Sequence, residues 1–209
     1  MTLIMTGGCT TSEPEPGTAV PTFPPSAHPS TSTSGVPDDG KVPDDCERVF
    51  PDSALGAWMG MPLGTVTVRT TIGVPSPSVG RTERLDCEYT GLAGGPARGK
   101  VLLKLNAGAF TDPDAARKQW RTNADSEDGD HHDIQIGAAS AVLIERRGEV
   151  LLMVVYGSGT LTVLLPDRPL PGGRSREDAV VDLAKRVLPA LSKTAPTPPT
   201  TSARPAGSS

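Results

Sequence analysis

The sequence predicts an α+β fold, in which an antiparallel sheet of about five to six strands carries helices on one face and one disulfide. Several short segments alternate apolar and polar residues with the period of two that is typical of half-buried strands. The last apolar segment follows the helical period instead. Because the strands come in consecutive groups between helices, an antiparallel sheet is favoured over a parallel one.

A short helix is predicted first, at residues 53–59. Asp52 is available as its N-cap, and Leu55 and Met59 lie four residues apart on one face. Gly60 then ends the helix.

Period-two alternation predicts a first group of strands at residues 65–72, 84–90 and 101–105. In the second of these, Leu85, Cys87 and Tyr89 share one face. We expect the three strands to form an antiparallel meander.

A second helix is predicted at residues 113–123. Asp112 is an acidic capping residue, and Pro113 occupies the first turn, where proline is tolerated. Ala116 and Trp120 should face inward.

A second group of strands is predicted at residues 141–145, 149–156 and 160–165. Residues 150–155 are apolar throughout, which indicates a central strand buried on both faces. The triplet Gly157-Ser158-Gly159 lies between two apolar strands and lacks the fuller G-x-S-x-G pattern, so it is interpreted as a hairpin turn and not as a nucleophile.

The last helix begins at a capping box, Ser175-Arg176-Glu177-Asp178. An apolar stripe then follows at helical spacing, formed by Val180, Leu183, Ala184, Val187, Leu188 and Leu191.

Composition divides the chain into four parts: residues 1–9, 10–43, 44–193 and 194–209. The second and fourth are rich in Pro, Ser and Thr and cannot bury a core, so we expect a solvated tether and a solvated tail. The third is the globular domain, whose core must be aliphatic because only 3% of the residues are aromatic. A net charge of −4 offers no basic face, which argues against nucleic-acid binding.

The N-terminal residues place Leu3, Ile4 and Met5 ahead of a small-residue run that ends at Cys9. This arrangement resembles the lipobox of bacterial lipoproteins, with Thr6 where that family usually carries leucine or another aliphatic residue. The resemblance implies a lipid on Cys9 and an anchor on the outer face of the cell membrane. The alternative is that Cys9 is an ordinary thiol in a disordered leader. No basic region or long apolar stretch precedes it, so we infer a start codon placed too far downstream.

Of the other two cysteines, Cys46 precedes the first predicted helix and Cys87 lies within a predicted strand. In an oxidising compartment we expect them to form a disulfide. The alternative is a pair of reduced core thiols in a cytosolic protein. A zinc site is disfavoured because no histidines lie at ligand spacing.

One polar segment, residues 125–133, could supply metal ligands through Asp128, Asp130, His131 and His132. It does not match the calcium-loop pattern, and adjacent histidines rarely reach one ion together. We therefore interpret it as a solvated acidic loop, and we expect no metal or other cofactor. Trp58 and Trp120 are candidates to line a pocket, although helical aromatic residues more often belong to the core.

The layout as a whole resembles small actinobacterial lipoproteins of uncharacterised function. The resemblance rests on Cys9, the Pro/Ser/Thr tether, Cys46 before a short helix and the strand segment Cys87-Glu88-Tyr89. In many of these proteins a stretch like Ile136-Gly137-Ala138-Ala139 precedes a paired hairpin. Such domains also look like the extracellular sensor portions of some actinobacterial membrane kinases.

The resemblance implies a compartment and a fold, and it carries no catalytic residue. We expect a non-catalytic module of the bacterial cell envelope that binds a partner protein, a lipid or a small ligand and is attached to the membrane by its lipid. The alternative is a metal-dependent or hydrolytic envelope enzyme that uses the segment around His131 and His132.

Overall fold

The computed structural model describes residues 41–60, 63, 65–93 and 99–191. Cys9, nearly all of the predicted tether and the predicted tail lie outside these residues. In chain order the helices and strands are α1 (Cys46–Val49), α2 (Asp52–Met59), β1 (Thr65–Gly73), β2 (Arg81–Ala93), β3 (Val101–Phe110), α3 (Pro113–Asp125), β4 (Asp130–Ile136), β5 (Ala139–Arg146), β6 (Glu149–Tyr156), β7 (Gly159–Pro166) and α4 (Arg176–Leu191).

The described strands form one antiparallel sheet of seven strands in the order β1-β2-β3-β7-β6-β5-β4. The predicted α+β class and the first meander are therefore confirmed. The two strand groups join where β3 pairs with β7, in a register that sets Leu105 opposite Val163. β6 is central, as predicted, and its residues 150–155 are buried.

The sheet has more strands than the predicted five to six, because part of the segment interpreted as an acidic loop is the edge strand β4. Its backbone pairs with β5 from Asp130, opposite Glu145, to Ile136, opposite Ala139. The side chains of β4 are mostly exposed. An edge strand needs backbone partners on one side only and tolerates charged residues on both faces, which is why its composition resembles that of a loop.

The prediction of helices on one face was wrong for α3. Trp120 of α3 packs with Leu151 and Met153 of β6, while Leu183 of α4 packs in the cluster on the opposite face with Leu152. β6 is apolar on both faces, so it needs cover on both. The described helices therefore lie on both sides of the sheet.

The predicted helix starts agree with the structure at two places. The Asp112 carboxylate accepts the Ala115 N–H at 2.7 Å at the start of α3. The Ser175 hydroxyl oxygen accepts the Asp178 N–H at 3.0 Å at the start of α4. Each side chain satisfies a backbone donor that has no partner within its helix.

The expected disulfide between Cys46 and Cys87 is present, with the two Cα atoms 5.7 Å apart. It ties the short helix α1 to β2, on the sheet face that also packs against α4.

Candidate functional site

A cavity of about 520 Å³ lies on the sheet face that carries α3. Its described lining comes from the three strands β1, β2 and β3, from β6 and β7, and from the C-terminal end of α3. The apolar cluster beneath α3 is centred on β5 and β6. The strands beyond this cluster line the cavity with charged and polar side chains. We therefore call the cavity the polar groove.

Strand alternation explains why the groove is polar. On β2, Leu85, Cys87 and Tyr89 are buried in the core that α4 covers. The intervening residues must point to the opposite face, and there Arg84, Asp86 and Glu88 line the groove.

Asp86 is held by two neighbours on the groove floor. Arg84 approaches it with two guanidinium nitrogens, Nε at 2.9 Å from Oδ2 and Nη2 at 3.0 Å from Oδ1. The side-chain amide of Asn106, directly opposite on β3, also donates to Oδ1. The Asp86 carboxylate thus accepts one hydrogen bond from Arg84 and one from Asn106, and it also forms an ion pair with Arg84 through Oδ2.

Glu88 lies between two cations from the neighbouring strands. The register places Arg69 of β1 and Lys104 of β3 directly across from it. The Arg69 Nη2–Glu88 Oε1 distance is 3.2 Å, and the Lys104 Nζ–Glu88 Oε2 distance is 3.0 Å. The hydrogen bond from Lys104, with the charges of Lys104 and Arg69, lowers the pKa of Glu88 against a smaller opposing effect of burial.

The other end of the groove is formed where α3 terminates. Asn123, Ser126 and Glu127 line it. The Glu127 carboxylate pairs with the guanidinium of Arg146, which also donates from Nε to Glu149 at 2.7 Å.

The four metal-ligand candidates do not converge. His131 and His132 are successive residues of β4, so their side chains point to opposite faces of the sheet. His131 Nε2 lies 2.9 Å from the Glu127 carbonyl oxygen, and His132 Nε2 lies 3.8 Å from Glu145. Among the described residues, no three His, Cys, Asp or Glu side chains are grouped to hold a metal ion, so Asp128 and Asp130 do not complete a site.

Both tryptophans are buried, with 5% of Trp58 and 4% of Trp120 exposed. Trp120 Nε1 donates to the Met153 carbonyl oxygen at 3.0 Å, beneath α3. Gly157-Ser158-Gly159 makes the predicted turn between β6 and β7, with Gly157 at a positive φ of 53°. Neither tryptophan and none of these turn residues lines the polar groove.

The segment 125–133, interpreted from the sequence as a solvated acidic loop, contains the groove residues Ser126 and Glu127, but no site role was predicted for the charged groove residues of β1, β2 and β3. The signal was present in the segment Arg84-Leu85-Asp86-Cys87-Glu88, where charged residues alternate with core residues. It predicts that the charges face away from the core. It does not predict which residues of other strands meet them.

No protein family and no curated protein matches the chain. Among solved structures, the chain is similar to the extracellular domain of PknH from Mycobacterium tuberculosis, at 14% sequence identity and a TM-score of 0.41. The similarity covers 68% of this chain and 92% of the other. No groove residue is assigned a role from it. Within the described residues, no helix has the length and apolar character needed to cross a membrane.

Proposed function

We propose that this chain is an extracytoplasmic, non-catalytic binding module of the bacterial cell envelope, anchored through a lipid on Cys9, and that its ligand occupies the polar groove. Two features support the compartment. The lipobox-like residues before Cys9 are followed by a long segment rich in Pro, Ser and Thr. The Cys46–Cys87 disulfide is of the kind that persists in oxidising compartments.

The polar groove is the observation that carries the binding role. Its volume of about 520 Å³ falls in the range of small-molecule sites. The ion pairs of Asp86 and Glu88 hold their cationic partners in place before any ligand arrives, which lowers the entropy cost of binding.

The position of the described histidines favours binding over catalysis. Histidine is the most common general acid–base residue near neutral pH. His131 and His132 lie on β4, at the opposite edge of the sheet from β1, and neither lines the groove. In the described part of the chain, no geometry around His131 and His132 favours the alternative of an enzyme.

Intact mass spectrometry of the protein from its native membrane tests the compartment. A diacyl or triacyl mass on Cys9, with Cys46 and Cys87 alkylated only after reduction, is the expected result. An unmodified Cys9 with three free thiols would contradict the proposal.

Thermal shifts of the full chain test the binding role. The probes are dialanine, sucrose, glycerol 1-phosphate and phosphatidylglycerol vesicles, each against the native chain, Arg84→Gln and Arg117→Gln. Arg117 is exposed on α3 and lies outside the groove, so it is the matched control. We expect at least one probe to raise the Tm of the native chain and of Arg117→Gln but not of Arg84→Gln. If no probe shifts the Tm, or if each probe shifts it equally in all three proteins, the groove is not the binding site.

A further inference from the structure

The two ends of the polar groove carry opposite charge. At the strand end, the charged residues of the described lining are three cations, Arg69, Arg84 and Lys104, and two carboxylates, Asp86 and Glu88. This end therefore has a formal net charge of +1. At the helix end, Glu127 belongs to a triad in which Arg146 pairs with Glu127 and Glu149. One guanidinium between two carboxylates leaves a formal net charge of −1.

The helix itself adds to this polarity. α3 ends at Asp125, and both Asn123 of its last turn and the capping residue Ser126 line the groove. The C-terminal end of a helix carries roughly half a negative charge. In α3, Ser126 and Glu127 already donate hydrogen bonds to the Asn123 and Ala124 carbonyl oxygens, so the dipole adds to the charge of the triad and does not replace it. The helix end of the groove thus favours a cationic group, and the triad acts in the same direction.

At the strand end, the cations keep hydrogen-bond donors that a ligand can use. The carboxylate of Asp86 already accepts one hydrogen bond from Arg84 and one from Asn106, and it forms an ion pair with Arg84. Glu88 is occupied by Arg69 and Lys104. Each guanidinium has five N–H donors and the ammonium has three, so these cations retain unused donors. The side chains of Arg69 and Lys104 are 71% and 48% exposed. An incoming carboxylate therefore meets free N–H donors in a region of positive formal net charge.

We propose that the ligand of the polar groove is a zwitterion of amino-acid to short-peptide size. Its carboxylate binds Arg69, Arg84 and Lys104, and its ammonium group lies toward Glu127 and the end of α3. This inference rests on the proposed binding function and names the ligand class for the same site. The described side chains that line the groove include no aromatic ring, so the groove offers no flat face for stacking a ring.

Isothermal titration of the full chain with three peptides separates the two ends. Dialanine has both charges, dialanine amide lacks the carboxylate, and N-acetyl-dialanine lacks the ammonium group. We expect each blocked peptide to bind about tenfold more weakly than dialanine or worse, since a charged hydrogen bond contributes on that order.

Variants at each end then test the orientation. Arg69→Gln and Lys104→Gln should each weaken dialanine about tenfold and leave the affinity for dialanine amide unchanged, because that peptide has no carboxylate to lose. Glu127→Gln should weaken the binding of dialanine and leave the affinity for N-acetyl-dialanine unchanged. Arg117→Gln is the control and should change neither. Arg69 is largely exposed, so its variant should fold normally, and the Tm of every variant is checked before titration.

The outcomes separate this inference from the proposed function. Equal affinity for all three peptides would overturn the proposal of a zwitterionic ligand. So would an equal loss of affinity for dialanine and for dialanine amide in Lys104→Gln. Binding of glycerol 1-phosphate but not dialanine would also overturn it, while leaving a groove-binding module in place. Failure of every probe to bind would overturn both.

Discussion

The Tyr89 hydroxyl donates a hydrogen bond to the backbone carbonyl oxygen of Phe50 at 2.6 Å. Tyr89 lies two residues from Cys87 on β2, and Phe50 directly follows α1, which contains Cys46. The hydrogen bond and the disulfide therefore hold the same segment against the same strand. The polar groove lies on the other face of that strand, so this double attachment supports its floor.

Removing the disulfide should lower the free energy of unfolding by about 4 kcal/mol, the chain-entropy value for a loop of this length. The two cysteines are 41 residues apart in the sequence. Urea denaturation of the double variant Cys46→Ser/Cys87→Ser measures the loss. The native chain under reducing conditions should unfold at a similar urea concentration. A loss below about 1 kcal/mol would show that α1 is held mainly by packing.

Tyr89→Phe should lower the free energy of unfolding by about 1 to 2 kcal/mol at neutral pH, because it leaves the buried Phe50 carbonyl without this donor. The ring remains in place, with its edge contact to Phe50 at a centroid distance of 6.2 Å. Urea denaturation at pH 7 gives the value, and unchanged stability would mean that a solvent molecule replaces the donor.

The same tyrosine should make the protein less stable at high pH. Burial, with the nearby carboxylates Glu47, Asp52 and Asp45, raises the pKa of Tyr89 well above its ordinary value near 10. Above pH 10 the unfolded chain loses this proton while the folded chain keeps it. Stability then falls by up to about 1.4 kcal/mol per pH unit from this group.

The stability difference between the native chain and Tyr89→Phe should therefore shrink as the pH rises from 9 to 11. Other titrating groups are common to both proteins, so their effects cancel in the comparison. A difference that stays constant over this range would contradict the assignment to Tyr89.

Trp120→Phe should destabilise the protein by about 1 kcal/mol more than Trp58→Phe. Both rings are buried, but only the Trp120 ring N–H has a partner among the described residues, the Met153 carbonyl oxygen. The Trp58 ring N–H has no hydrogen-bond partner there. Each change removes a similar volume, so the pair isolates the hydrogen bond. Equal losses in chemical denaturation would show that packing beneath α3 dominates.

Glu88→Gln should lower stability at pH 7 by about 0.5 kcal/mol, a modest value because the ion pairs are partly exposed. The pKa of Glu88 is lowered in the folded protein. Its contribution is therefore present above the ordinary value near 4.5 and disappears as the pH falls through the folded-state pKa. Denaturation at pH 7 and pH 3 should show the difference closing, and a constant difference would mean that the pairs do not stabilise the fold.

Local patterns predicted most of the helices and strands. Leu85, Cys87 and Tyr89 share a core face as their spacing predicts, and the Ser175 capping box starts the last helix. β4 was missed because its pairing with β5 is a backbone interaction, and its side chains carry no apolar alternation. α3 was assigned to the wrong face because a helical stripe indicates that a helix packs, but not against which side of a sheet.

By itself the sequence determined the fold class, the order of most helices and strands and the candidate disulfide, since these depend on residues close together in the chain or on a count of cysteines. Only the tertiary structure decided that Lys104 and Arg69 flank Glu88, and that the end of α3 lines the same groove. The physical reason is register. A strand's periodicity specifies which face a side chain occupies, whereas its neighbours depend on long-range pairing that no local pattern records.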